Sequence, residues 1–179
     1  MRYQQFMRQF PDLSEIKAII MDVDGVLTEG SIGYHADGNE IKFFNVRDGH
    51  GLVLARRAGL KLGILTGRKC LANDIRAMEL KLDFQIQDCH NKKEGFLQIL
   101  QEQNLKADEC MYIGDDMVDM PPMRRAGFAV AVADAIPELD EVCHIRTQHC
   151  GGRGAVREAI EILLKGQGKW DAVTARYWQ

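Results

Sequence analysis

Five short apolar runs, parted by stretches of helical periodicity, restrict this chain more than any other feature. They are IKAIIM (16–21), KLGILT (61–66), DFQIQ (83–87), CMYIG (110–114) and FAVAV (128–132). Each is brief and carries β-branched residues, which reads as a buried strand. Between them GLVLARRAG (51–59), CLANDIRAMEL (70–80) and KEGFLQILQEQNL (93–105) place apolar residues at helical spacing, as GAVREAIEILLKG (154–166) does later. Gly59 is positioned as a C-terminal cap. Strands alternating with helices predict an α/β fold, a central parallel sheet flanked by helices on both faces. The 179 residues suit one domain. A sheet of this kind binds ligands beyond the carboxyl ends of its strands, where the strand order reverses.

Two segments break the alternation. Residues 28–45, TEGSIGYHADGNEIKFFN, contain two strand-like pieces around Asp37-Gly38, a hairpin turn inserted over the strand ends. Residues 167–179 begin with glycines and then offer Trp170, Tyr177 and Trp178, aromatics suited to docking on a partner such as a second copy.

The net charge of −3 supplies no basic field for nucleic acid or an anionic membrane. No apolar run approaches the ~18–20 residues of a membrane span. MRYQQFMRQFPDL lacks the apolar core of a secretory signal, and the five cysteines form no CxxC pair, so reduced thiols in the cytoplasm are expected. CHIRTQHC (143–150) brings two Cys and two His together. The members of each pair are adjacent, where side chains diverge, so it reads as a strand-to-loop segment rather than a zinc site.

The chemistry is expected at the strand ends. In DVDGVLT (22–28), Asp22 has the position of a nucleophile that takes a phosphoryl group, while Asp24, two residues on, faces the same way. Asp24 is suited to protonate the leaving oxygen and later deprotonate water. Gly25 lets the backbone turn away. Thr66 in LTGR (65–68) ends a strand with a hydroxyl for phosphate oxygens, and Lys92 opens a helix with a cation to offset phosphoryl charge. In YIGDDMVDM (112–120), Asp115 completes an oxygen-rich Mg2+ site with Asp22 and the Asp24 carbonyl, while Asp116 and Asp119 orient Lys92 and the metal shell. Singly each signal is weak, since DxDG also suits a Ca2+ loop or a solvated turn. Four in order, three of them after strands, point to phosphoryl transfer.

These residues resemble the haloacid dehalogenase superfamily of phosphatases over roughly 16–165. Within it, FNVRDGHG (44–51), GDDMVDMPPM (114–123), AVADAIPE (131–138) and GGRGAVRE (151–158) resemble the 3-deoxy-D-manno-octulosonate 8-phosphate phosphatase family, which makes the free eight-carbon acid sugar for lipopolysaccharide. The resemblance implies a Rossmann-like fold without a cap domain. A β-hairpin flap and neighbouring subunits of a homotetramer would cover the site. It implies a phosphatase domain over 12–166 with a C-terminal tail over 167–179, and Mg2+ held by Asp22, the Asp24 carbonyl and Asp115. For the acid-sugar phosphate it implies a site lined by Asp24, Asn45, Val46, Arg47, Asp48, Gly49, Arg68, Arg76 and Lys92. Arginines bind carboxylate and phosphate bidentately, although by periodicity alone Arg76 reads as a solvated helix charge. At Val53 family members often have a basic residue. That departure keeps a nine-carbon ulosonate 9-phosphate open as substrate. A non-catalytic assembly module is a further alternative, but one in which Asp22, Asp24, Lys92 or Asp115 should be eroded, and all are present.

Overall fold

A computed structural model describes residues 8–179. Six strands form the main sheet: β1 Ala18–Met21, β4 Lys61–Leu65, β5 Phe84–Ile86, β6 Cys110–Gly114, β7 Phe128–Ala131 and β8 Ile145–Arg146. Their order is β5-β4-β1-β6-β7-β8 and every pairing is parallel. The chain runs outward from β1 to β5, then crosses back to β6 on the other flank. That crossing is the reversal in strand order at which such sheets bind ligands. Met21 is in register with Ile64 and Ile113, so the residues just past these strands emerge side by side.

Alternating side chains divide the core into two layers. Ile19, Met21, Leu62, Ile64, Met111 and Ile113 pack against α1 (Val46–Arg57) and α5 (Ala155–Gly166). Ala18, Ile20, Leu65 and Tyr112 face α3 (Lys92–Gln103) and α4 (Met120–Met123), where Phe96, Ile99 and Met123 are buried. The remaining long helix, α2, spans Leu71–Leu80.

The expected α/β architecture with its central parallel sheet is the one observed. Four of its strand runs are trimmed by a residue or two while 110–114 is kept whole, and α1 starts five residues before the periodic stretch. Asn45 causes the early start: its side chain accepts the Arg47 N–H at 2.8 Å and caps a first turn whose one large apolar residue, Val46, is exposed. The segment 143–150 contributes β8. His144 is buried with Nδ1 accepting the Ala129 N–H at 2.8 Å, while His149 lies 2.7 Å from Glu158, so the two histidines have separate structural partners.

Residues 28–45 carry the antiparallel pair β2 Gly33–Tyr34 and β3 Glu40–Ile41, closed by a turn in which Gly38 has φ +87°. The tail forms α6, Trp170–Thr174, and a short turn after it. Arg157 and Lys165 lie over the Trp170 ring, and Arg57 donates to the Tyr177 hydroxyl at 2.7 Å. Two of the three tail aromatics are thus engaged within the chain, whereas Trp178 is 84% exposed.

Candidate active site

Asp22 leaves β1 with its N–H still donating to Ile113 O at 3.1 Å, which continues the ladder one residue past the strand. Its carboxylate is buried. Oδ1 accepts from the Val23 N–H at 2.7 Å, and Oδ2 meets the Lys92 ammonium at 2.8 Å. Lys92 opens α3 and also donates to Asp119 Oδ1 at 2.7 Å. Asp119 is fully buried and accepts further from the Tyr112 hydroxyl at 2.8 Å and from the N–H groups of Asp115 and Asp116 at 3.1 and 3.4 Å. Every donor around Asp119 is therefore fixed by β6, the loop after it or the start of α3.

Asp115 follows β6 and lies against Gly25, where a Cβ would come within 2.0 Å of Asp115 Oδ2. Gly25 has φ +85°, a conformation that suits glycine. Asp22, Asp115 and Asp119 can each offer an oxygen to one point, all within 4.8 Å of one another. Burial, then the charge of Asp119, push Asp22 up to about 6 and Asp115 up to about 8. Burial pulls the Lys92 ammonium down, but Asp119 and Asp22 outweigh it and leave it above its ordinary value. Oxygen-only donors carrying more negative charge than one lysine offsets fit a hard divalent cation such as Mg2+.

Asp24 stands at the cavity mouth, gripped by Lys42 of the hairpin segment at 2.6 and 2.8 Å. Arg68 pairs with Glu40 and reaches the Tyr34 hydroxyl at 3.5 Å, so the hairpin is tied to the site at two points. Asp22, Asp24, Thr66, Arg68, Lys92 and Asp115 line one cavity of about 330 Å³ at the strand ends.

Most of the other sequence-predicted residues lie elsewhere in the single chain. Asp116 also borders the cavity, but its carboxylate caps the next turn through the Met117 N–H at 2.6 Å and makes no ion pair with Lys92. Of Asp116 and Asp119, Asp119 is the one that contacts Lys92. Asn45 caps α1 and donates to Gly152 O at 3.1 Å, and Val46 is 83% exposed. Arg47 borders a separate cavity of about 420 Å³ with His149, Arg153 and Arg157. Asp48 is buried and accepts the N–H groups of Gly154 and Arg157 at 3.2 and 2.8 Å, serving the first turn of α5. Gly49 lies close under Arg76, whose guanidinium covers the Phe44 ring and pairs with Glu79 at 3.2 Å. None of Asn45 to Gly49, nor Arg76, lines the 330 Å³ cavity.

Sequence reasoning missed Lys42, Glu40 and Tyr112. The one signal for Tyr112 is a hydroxyl inside an apolar strand, which demands a buried partner. Lys42 and Glu40 sit two apart and share one side of the hairpin strand, visible only once its path over Asp24 is known.

Residues 83–160 match the haloacid dehalogenase-like hydrolases. The chain is 42% identical over 160 residues to the 3-deoxy-D-manno-octulosonate 8-phosphate phosphatase KdsC of Salmonella typhi, covering 87% of this chain and 83% of the relative. Identity to the Yersinia pestis enzyme of that name is 37% over 161 residues, covering 90% and 86%. Among solved structures, the Moraxella catarrhalis 3-deoxy-D-manno-octulosonate 8-phosphate phosphatase, in complex with magnesium ion, phosphate ion and KDO, superposes with a TM-score of 0.89. Its identity is 37%, with 93% of this chain and 95% of that one covered. The cobalt-bound Haemophilus influenzae phosphatase gives 0.87 at 34% identity, covering 92% and 97%.

Proposed function

The chain belongs to the family of 3-deoxy-D-manno-octulosonate 8-phosphate phosphatases, haloacid dehalogenase-like hydrolases, and from that membership we propose how its residues perform the reaction. It is a phosphoric monoester hydrolase that releases phosphate from 3-deoxy-D-manno-octulosonate 8-phosphate and uses Mg2+. The relatives favour this eight-carbon substrate over a nine-carbon ulosonate 9-phosphate, despite Val53.

Asp22 is the nucleophile. Its carboxylate attacks phosphorus and an aspartyl-phosphate forms as the sugar oxygen departs. Asp24 gives that oxygen its proton, then takes one from the water that cleaves the acyl phosphate, so the carboxylate ends as it began. Lys92 holds Asp22 in line and offsets phosphoryl charge, with Asp119 and Tyr112 fixing Lys92 in turn. Thr66 donates to a phosphoryl oxygen, and Arg68 meets the sugar carboxylate. Asp22, Asp115 and the Asp24 carbonyl hold Mg2+, which when bound lowers the charge repulsion between phosphate and the acids. The carrying observation is that Asp22 and Lys92, with Lys92 held from behind by buried Asp119, line the same cavity as Asp24.

The reading extends to a phosphatase domain over 12–166 with a tail over 167–179, to a homotetramer in the cytoplasm, and to lipopolysaccharide synthesis. A homotetramer would supply cover that the single chain lacks, and a neighbouring copy would bring Arg47, Arg76 and the 45–49 segment into use. The test is phosphate release from a panel of sugar phosphates with and without Mg2+. Mg2+-dependent preference for the eight-carbon ulosonate supports the reading. Equal or reversed preference for the nine-carbon ester overturns the substrate, and full turnover by Asp22→Asn overturns the covalent route.

A further inference from the structure

Lys42 is the cation closest to Asp24, and it comes from outside the sheet. It follows β3 directly and places Nζ 2.6 Å from Oδ1 and 2.8 Å from Oδ2 of Asp24. The Lys42 side chain is only 3% exposed, although the hairpin that carries it lies on the surface. Burying an ammonium costs several kcal/mol unless a partner offsets it. Its partner is Asp24, with Glu40 Oε2 more distant at 3.9 Å. The hairpin that delivers Lys42 is itself pinned to the cavity wall by the Glu40–Arg68 pair.

We infer that Lys42 is a positioning residue for the proton transfers of Asp24, a role that rests on the mechanism proposed above. An ammonium donates and cannot accept. Since Lys42 reaches both Asp24 oxygens, the proton that Asp24 carries must point away from Nζ, towards the cavity where the ester oxygen leaves. The proton passes from Asp24 to that oxygen as the P–O bond breaks, and water returns one to Asp24 as the acyl phosphate is cleaved. Lys42 exchanges no proton. It holds the carboxylate in one orientation through both steps and makes that orientation depend on the hairpin lying closed.

Leaving-group dependence tests this, because a sugar alkoxide needs a proton on departure and an aryloxide hardly does. The value of kcat/KM, which reports steps up to leaving-group departure, is measured on 3-deoxy-D-manno-octulosonate 8-phosphate and on p-nitrophenyl phosphate. Lys42→Met should lower kcat/KM on the sugar phosphate by about 10²-fold, the lower range for positioned acid catalysis, and on the aryl ester at least tenfold less. Lys42→Arg should restore most of the loss, and Asp24→Asn should reproduce the split. Lys42→Gln repeats the measurement should Lys42→Met unfold on thermal melting. Equal losses on both esters, or none, would overturn the assignment of Lys42 while leaving the mechanism standing. If Asp24→Asn itself shows no split, the proton-transfer role of Asp24 fails, and the role of Lys42 with it.

Discussion

The Lys92 ammonium stands 2.8 Å from the Asp22 carboxylate, with 2% and 8% of the two side chains reaching solvent. Lys92→Met would leave Asp22 and Asp119 buried without their cation. Breaking such a pair costs roughly 3–5 kcal/mol, and removing one preorganised donor costs turnover about 10²–10³-fold. Asp22, already raised to about 6 by burial and the charge of Asp119, would lose the lowering effect of Lys92 and rise further above its unfolded value, so stability is present at low pH and lost as pH rises through the folded value. Urea denaturation should therefore show a smaller gap between variant and wild type at pH 5.5 than at pH 7.5. A gap of constant size would mean that Lys92 contributes by packing rather than by charge.

Asp22→Asn keeps the volume and removes the proposed nucleophile. Lys92 retains Asp119, and one anion leaves a crowded acid cluster, so the fold should be at least as stable as wild type. Phosphate release should fall by several orders of magnitude with an unchanged circular dichroism spectrum. Loss of structure alongside activity would make Asp22 a structural acid first.

The parts of this site that strand periodicity controls were legible in the sequence. Asp22, Thr66 and Asp115 each follow an apolar run, and parallel register brings such positions together whatever the loops do. Lys42 was not legible, because it lies 18 positions after Asp24, across the hairpin, and its reach depends on the path between them. Asn45 and Asp48 illustrate a different limit. Their residue types serve helix capping and ligand binding equally well, and only the approach of α5 shows Asp48 accepting from its first turn. Trp170 and Tyr177 read as free aromatics until α1 and α5 present arginines to them.

Metal binding and pH should be linked through the same acids. With folded values of about 6 for Asp22 and about 8 for Asp115, the metal-free protein loses stability as pH rises through that range. Mg2+ competes with protons for these carboxylates, so its stabilisation should be larger at pH 8 than at pH 6. At 100 times its Kd the ion adds about 2.7 kcal/mol, a Tm rise of about 5–10 °C for a chain of this size. Thermal melts in EDTA and in Mg2+ at both pH values measure this. Asp115→Ala should abolish most of the difference, and a variant that keeps the full Mg2+ response would remove Asp115 from the metal site.

Gly25→Ala probes the same acid from the other side. At φ +85° a side chain costs about 1–2 kcal/mol, and the new Cβ would overlap Asp115 Oδ2 at 2.0 Å. The overlap is with a side chain, which can rotate, so the chain should fold and Asp115 should move. Misplacing a reacting group by about 1 Å costs up to about 10²-fold, well beyond what the stability loss alone would do to a folded enzyme. The expected result is a modest fall in Tm with a large fall in kcat and a weaker Mg2+ affinity by calorimetry. A variant that loses stability yet keeps both turnover and Mg2+ affinity would show that the Asp115 carboxylate does not hold the metal from the position it has beside Gly25.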